Sequence, residues 1–146
     1  MYASTLLSVF LPLLAVVTAS PAPPPTILKV TYDNTFDNPT GSLNGVACSN
    51  GKNGLVTRGF TDFKSLPSFP FIGGAQAVAG WNSTNCGTCW ALTFNGRTIN
   101  VLAIDTAGHG FNIAQEALDE LTGGKAVQLG FVNAAVIQVP SSQCGL

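Results

Sequence analysis

Residues 79–90 read AGWNSTNCGTCW and contain two of the four cysteines and both tryptophans of the chain. Three interpretations of this stretch compete. It is a redox-active dithiol, half of a zinc site, or a disulfide corner in a small secreted β domain. Each interpretation implies a different fold and a different chemistry, and the surrounding sequence decides among them.

The chain begins with a segment typical of secreted proteins. An apolar stretch covers residues 6–17 and is followed by small residues up to position 19, where a signal peptidase would cleave. The stretch is shorter than the roughly 20 apolar residues that span a bilayer. We therefore predict a signal peptide over 1–19, a Pro-rich flexible leader over 20–26 and one domain over 27–146. The predicted location is outside the cell or in the cell wall.

The charge content is low and balanced. Six Lys and Arg residues oppose seven Asp and Glu residues, and charged residues make up 9% of the chain. No basic stripe exists that could neutralise phosphates, so nucleic acid is not an expected partner. The surface must consist largely of Asn, Thr, Ser, Gln and Gly. Such a surface suits neutral polar partners, carbohydrates among them.

The cysteines favour structural disulfides. Outside the cell, four cysteines most often form two disulfides, for which three pairings exist. A redox dithiol needs a helix after the CxxC motif, but residues 90–94 have the composition of a strand. A zinc site needs four ligands, and the other two cysteines and the single His109 are poorly spaced for one. A direct Cys86–Cys89 bridge would close a strained small loop, so we expect distant partners. No metal or cofactor is expected.

Short strands dominate the predicted secondary structure. Apolar alternation and turn signals predict strands over residues 27–32, 90–94, 97–104 and 130–139. The two-residue turn Asn95-Gly96 predicts that the second and third of these pair as a hairpin. Gly73-Gly74-Ala75 is assigned to a loop. About six strands in total and one helix indicate a closed or partly closed barrel.

A helix is predicted over residues 112–121. Its apolar residues recur at helical spacing, and Gly123-Gly124 follows as a stop signal. The acidic residues Glu116, Asp119 and Glu120 are expected to form its solvated face.

Asp105 is the leading candidate for a functional carboxylate. It stands at the end of an apolar strand, immediately before a glycine-rich loop that contains an exposed His109. Such a position puts the side chain at a barrel rim, where ligands commonly bind. Aspartate in this setting also stabilises turns by accepting backbone hydrogen bonds. Both interpretations of Asp105, ligand binding and turn stabilisation, stay open. Glycines at positions 108 and 110 would let a flat ligand approach the backbone.

Five motifs lie along the domain in an informative order. They are VTYD at 30–33, VACSNG at 46–51, AGW at 79–81, CGTCW at 86–90, and the segment from Ile104-Asp105 to Gly110-Phe111-Asn112. Together they resemble the cerato-platanins, a family of small secreted fungal proteins, across nearly the whole predicted domain.

The resemblance implies a fold and a set of activities. The fold is a six-stranded double-ψ β-barrel, mainly β with short helices, similar to the first domain of expansins and to some inverting endoglucanases. The implied disulfides are Cys48–Cys86 and Cys89–Cys144. Family members bind chitin and N-acetylglucosamine oligomers without a cofactor. Some loosen cellulose without hydrolysis, self-assemble at air–water interfaces, or act as elicitors of plant defence, which suggests a host receptor as a partner.

The expected site is a shallow carbohydrate-binding groove with no catalytic residue. Its residues are Tyr32, Asn82, Ser83, Asp105, Gly108, His109, Gly110 and Asn112. The chain departs from the family at His109 and at Asn82, where relatives often carry an acid. Asn82-Ser83-Thr84 is also a formal glycosylation sequon. Two interpretations of the loop residue Trp81 stay open, a binding platform and packing beside the disulfides, and we expect packing. Trp90 is expected to be buried.

Two other functions remain open at this point. One is a weak inverting glycan hydrolase that uses Asp105 as its acid, and the other is an elicitor or surface-active protein in which the groove is incidental. Inverting hydrolysis needs a second carboxylate as base. Asp33 is a candidate, but strand alternation sends Tyr32 and Asp33 to opposite sides unless the strand ends there.

Overall fold

The computed structural model describes residue 11 and residues 14–146. Most of the predicted signal peptide lies outside these residues. Residues 14–25 are exposed and have no regular secondary structure. The barrel begins at Thr26, next to the predicted domain boundary.

Six strands form a closed barrel in the order β1-β5-β2-β4-β3-β6, which confirms the predicted fold class. The strands are β1 Thr26–Tyr32, β2 Ile72–Ala75, β3 Cys89–Phe94, β4 Arg97–Thr106, β5 Phe111–Ile113 and β6 Phe131–Val139. Two helices, α1 Gln115–Thr122 and α2 Ala126–Leu129, lie between β5 and β6. In the described part of the chain, no helix is long and apolar enough to cross a membrane.

The predicted hairpin is confirmed. Strands β3 and β4 pair antiparallel from Cys89 opposite Leu102 to Phe94 opposite Arg97. The connecting residues Asn95 and Gly96 have φ values of 47° and 77°. Two left-handed residues in a two-residue loop match the right-handed twist of the flanking strands, so this turn sets the register of the pair.

The assignment of Gly73-Gly74-Ala75 to a loop is wrong, because these residues belong to the buried strand β2 of the barrel. β2 pairs parallel with β4 and antiparallel with β5. Gly73 and Gly74 are buried, and a Cβ at Gly74 would lie 2.5 Å from the Thr106 carbonyl oxygen. The glycines are therefore needed for close approach of neighbouring backbones.

The predicted helix over 112–121 starts too early. Residues Phe111–Ile113 form β5, and α1 begins at Gln115. The first helical turn is capped from a distance, since the Asp37 carboxylate accepts hydrogen bonds from the backbone N–H groups of Gln115 and Glu116, both at 2.9 Å. A cap that lies 78 positions away along the chain leaves no local signal.

The two disulfides are Cys48–Cys86 and Cys89–Cys144, the pairing that the resemblance implied. All four cysteines belong to the buried hydrophobic cluster, which also contains the interior residues of every strand. The CxxC motif therefore ties the start of β3 to two separate loops. Among the described residues there is no free cysteine.

Candidate functional site

A β-bulge in β4 determines where the Asp105 side chain points. Opposite β2, the pair Gly73–Ala103 is followed by the pair Gly74–Asp105, so Ile104 is an extra residue in β4. An extra residue reverses the alternation beyond it. The bulge thus moves Asp105 off the face that carries Ala103.

Asp105 comes to lie in a polar row on the outer face of the barrel. Asn112 pairs with Gly74 on its other side, and Thr31 pairs with Asn112. Residues in register share a face of the sheet, and the Thr31 hydroxyl donates a hydrogen bond to Asn112 Oδ1 at 2.8 Å. Gly74 lies between Asn112 and Asp105 in this row, and because it has no side chain, no side chain separates these two residues.

Asp105 and Asp33 line one groove of about 220 Å³. Its walls are the 3₁₀ turn at Asn34–Asp37 and the segment 41–46. Polar lining comes from Thr35, Asn38 and Ser42, and apolar lining from Val46, Phe36 and Phe63. The groove therefore combines two carboxylates with neutral hydrogen-bonding groups and an apolar lining.

Asp105 accepts two backbone hydrogen bonds, one from the next residue and one from the separate segment 46–53. Its Oδ1 accepts hydrogen bonds from the backbone N–H groups of Ala47 at 2.9 Å and Thr106 at 2.8 Å. These bonds hold the side chain in one orientation at the groove. Its other carboxylate oxygen forms no hydrogen bond to a described residue, and it is available to a ligand.

The sequence predicts Tyr32 for the binding groove and Asp33 only as a possible hydrolytic base, but Asp33 lines the groove and Tyr32 does not. β1 ends at Tyr32, which packs against the core, and alternation sends Asp33 outward. Asp33 Oδ1 accepts the Thr35 N–H at 2.8 Å. This backbone bond, with further hydrogen bonds from the side chains of Thr35 and Asn112, lowers the pKa of Asp33. Asp33 is therefore ionised at neutral pH.

Trp81 is more exposed than expected. Its side chain is 64% exposed, so the expectation that it packs beside the disulfides is wrong. The indole Nε1 donates a hydrogen bond to Asn50 Oδ1 at 2.7 Å. One edge of the ring is thus fixed while much of its surface faces solvent. Trp90 is half-buried rather than fully buried, and it packs edge-on against Phe111 with ring centroids 5.8 Å apart.

Asn82 and Ser83 lie in the Trp81 loop and serve local structure. Asn82 has a φ of 58°, and its Oδ1 accepts the Asn53 backbone N–H at 2.9 Å. Ser83 Oγ accepts the Asn85 N–H at 3.1 Å. The segment 46–53 connects this loop to the groove, since Ala47 binds Asp105 and Asn53 binds Asn82.

The glycine-rich loop after β4 divides into two parts. Gly108 and His109 are exposed, but Gly110 is buried. The Gly110 N–H donates to Gln76 Oε1 at 2.6 Å, and a Cβ at Gly110 would collide with the Lys29 backbone. The protein's own backbone, rather than a ligand, occupies the space beside Gly110.

The structure thus brings together only part of the predicted site. Asp105 and Asn112 share the outer row, whereas Tyr32 and Gly110 pack inward. Within residues 14–146, no group of three or more His, Cys, Asp or Glu side chains could hold a metal ion.

Comparisons with known proteins agree with this architecture. The family model described as Cerato-platanin matches residues 28–146. "Allergen Asp f 15" of Aspergillus fumigatus is 50% identical over 117 residues, which are 80% of this chain and 76% of that protein. The crystal structure of cerato-platanin 2 from M. perniciosa has a TM-score of 0.80 at 50% identity, covering 83% of this chain and 100% of that one.

A solution structure described as that of the fungal elicitor Cerato-Platanin has a TM-score of 0.70 at 37% identity and covers 80% of this chain and 95% of that one. None of these names denotes an enzyme. The family model covers well over half of the chain, and the barrel is shared with solved members. The chain therefore belongs to the cerato-platanin family.

Proposed function

We propose that this protein is a secreted, non-catalytic carbohydrate-binding protein whose ligands are chitin and N-acetylglucosamine oligomers. The observation that carries the proposal is the groove lined by Asp33 and Asp105. The segment 46–53 joins this groove to the exposed and anchored Trp81. Together they offer polar and aromatic contacts to one extended chain of sugars.

The groove has the hydrogen-bonding groups that a neutral amino sugar requires. Carboxylates accept hydrogen bonds from sugar hydroxyls and from an acetamide N–H, whereas the Thr35 and Ser42 hydroxyls both donate and accept. An exposed indole offers an apolar surface to the C–H face of a pyranose ring. A shallow, solvent-accessible site of this kind predicts micromolar to millimolar dissociation constants, about 4–8 kcal/mol of binding free energy.

Calorimetric titration with tetra-N-acetylchitotetraose tests the proposal. Asp105→Asn retains Oδ1 for the Ala47 N–H but removes the charge and one acceptor from the groove. We expect its dissociation constant to rise about tenfold, a loss of about 1.4 kcal/mol. The matched control is Asp119→Asn, because Asp119 also accepts a backbone N–H, from Ala126 at 2.9 Å, but does not line the groove. It should bind as wild type does.

Two results would oppose the proposal. One is the absence of saturable binding by the wild-type protein. The other is an equal loss of affinity in Asp105→Asn and Asp119→Asn, which would point to general destabilisation rather than to the groove.

A weak inverting glycan hydrolase is the second candidate, because two carboxylates share one groove. Inverting hydrolysis uses one carboxylic acid and one ionised carboxylate. Hydrogen bonds from Thr35 lower the pKa of Asp33, which suits the base, and Asp105 would then be the acid. Measurement of reducing ends in the same samples separates the candidates. Turnover that disappears in Asp105→Asn would establish the hydrolase, whereas binding without turnover supports the first proposal.

We also infer an extracellular location and recognition by a host. The two disulfides suit an oxidising compartment. The names of the relatives, an allergen and an elicitor, describe proteins that other organisms detect. Wall loosening of the expansin type follows if the groove also accepts cellulose. Extension assays on cellulose sheets, with Asp105→Asn as the comparison, test that activity separately from chitin binding.

A further inference from the structure

A larger groove lies at the other end of β4 from Asp105. It has a volume of about 490 Å³, more than twice that of the Asp33–Asp105 groove. The segment 67–71, the β4 residues 98–100 and the C-terminal residues 143–145 form it. Asn100 and Asp105 are five residues apart along the strand, about 16 Å. The two grooves are therefore separate sites.

The side chains in this groove are mostly neutral and incompletely bonded. Asn100 Nδ2 donates to Gln143 Oε1 at 3.3 Å, which leaves Asn100 Oδ1 and Gln143 Nε2 without a bond to any described residue. The Ser68 hydroxyl is buried and has no hydrogen-bond partner among the described residues. This oxygen is enclosed by the protein, so the polar groups that an occupant of the groove can reach are the exposed amides of Asn100 and Gln143.

Aromatic rings and one carboxylate complete the lining. Phe69 and Phe71 are half-buried and line the groove beside Ile99. Glu120 of α1 supplies the single formal charge, and no Lys or Arg side chain contributes. Anionic ligands are therefore disfavoured. A ligand with an apolar face, several hydroxyl or N–H donors and no negative charge is favoured, and a pyranose ring has these properties.

We propose that this groove is a second saccharide-binding site, which makes the protein bivalent toward a polysaccharide. The inference rests on the proposed carbohydrate-binding function and extends it to a second surface. Two sites on one barrel raise the effective concentration of each site at a polymer once the other has bound. They also allow one molecule to connect two neighbouring polysaccharide chains, without any hydrolysis.

Chemical-shift mapping of the full-length, ¹⁵N-labelled protein with tri-N-acetylchitotriose tests the proposal. We expect two separate sets of perturbed amides, one around Asp105 and one around Asn100 and Gln143. In Asn100→Ala, the dissociation constant fitted to the amides around Asn100 and Gln143 should rise about 5- to 10-fold. The dissociation constant fitted to the amides around Asp105 should be unchanged. Asn133→Ala is the matched control, because Asn133 is an exposed strand asparagine that lies in neither groove. It should behave as wild type.

The outcomes separate this inference from the proposed function. Shifts confined to the Asp105 set, or an Asn100→Ala titration equal to wild type, would overturn the second site and leave the first intact. Shifts confined to the Asn100 set would overturn the first site and support the second. The absence of any shift would overturn both. The Asn100→Ala spectrum away from the groove also reports whether the variant is folded.

Discussion

Asp33 and Asp105 are far apart in the sequence and line one groove. Asp105 was predictable, because a carboxylate that follows an apolar strand and precedes glycines is a strong local pattern. Asp33 was considered as a possible partner, but its exposure to the groove depends on β1 ending at Tyr32. That boundary is set by the pairing of β1 with β5 and β6, which a local pattern does not reveal.

Trp81 shows a different limit at the scale of single residues. The sequence alone does not distinguish a tryptophan that packs beside disulfides from one that is exposed. The decisive contact is the hydrogen bond from its indole to Asn50, a residue 31 positions earlier. Only the folded loops show that the ring is exposed and fixed at one edge.

The ionised state of Asp33 predicts an acid-dependent contribution to stability. Hydrogen bonds from Thr35 lower its folded-state pKa below the usual 3.8. The contribution is therefore fully present above pH 3.8 and is lost as the pH falls through the folded-state pKa. Asp33→Asn retains a capping side chain but does not titrate. Urea denaturation between about pH 2 and 6 should show a stability difference from wild type that shrinks as the pH falls. A difference that is the same at every pH would contradict this account.

At the scale of elements, the hairpin and the final strand were predictable because their signals are local. Asn95-Gly96 specifies its turn, and alternation predicts β6 to within one residue. β2 and β5 were not predictable, because each is short and depends on neighbours that are distant in sequence. Two adjacent glycines predict a loop, whereas here they permit the close packing of the β2, β4 and β5 backbones.

The junction between the glycine-rich loop and β5 offers a test of this packing. Gly110 has a φ of 62°, and the Lys29 backbone occupies the position of a Cβ. Gly110→Ala should therefore lower the free energy of unfolding by at least about 2 kcal/mol. Gly108→Ala is the control, because Gly108 is exposed and nothing lies within 4 Å of its Cβ position. It should change stability by less than about 0.5 kcal/mol. Equal effects in thermal unfolding would show that the loop is not packed as described.

At the scale of the whole molecule, the double-ψ topology of the barrel was predicted only through the resemblance of the motifs to a family. Composition and periodicity indicate a β-barrel of about six strands, but they do not specify the parallel pairs β1–β5 and β2–β4. Parallel pairs join segments that are far apart in sequence. The same holds for the two grooves, because each is assembled from three or more separate segments.

The disulfides should contribute a large share of the stability of the whole domain. They connect residues 38 and 55 positions apart, and loops of this length predict about 2–4 kcal/mol for each bond. Replacing Cys89 and Cys144 with serine should lower the free energy of unfolding by that amount. Removing both disulfides should approach the total stability of about 5–15 kcal/mol that is typical of a domain. Thermal unfolding of the variants measures both effects. Reactive free thiols in the untreated protein would contradict the structural role of the CxxC motif.

The central claim is that Asp33 and Asp105 bind the same sugar chain in one groove. It is tested most directly by calorimetric titration of tetra-N-acetylchitotetraose against wild type and the Asp33→Asn/Asp105→Asn double variant. We expect saturable binding by wild type, a loss of affinity of at least tenfold in the double variant, about 1.4 kcal/mol or more, and no release of reducing ends. Wild-type affinity in the folded double variant would contradict the claim.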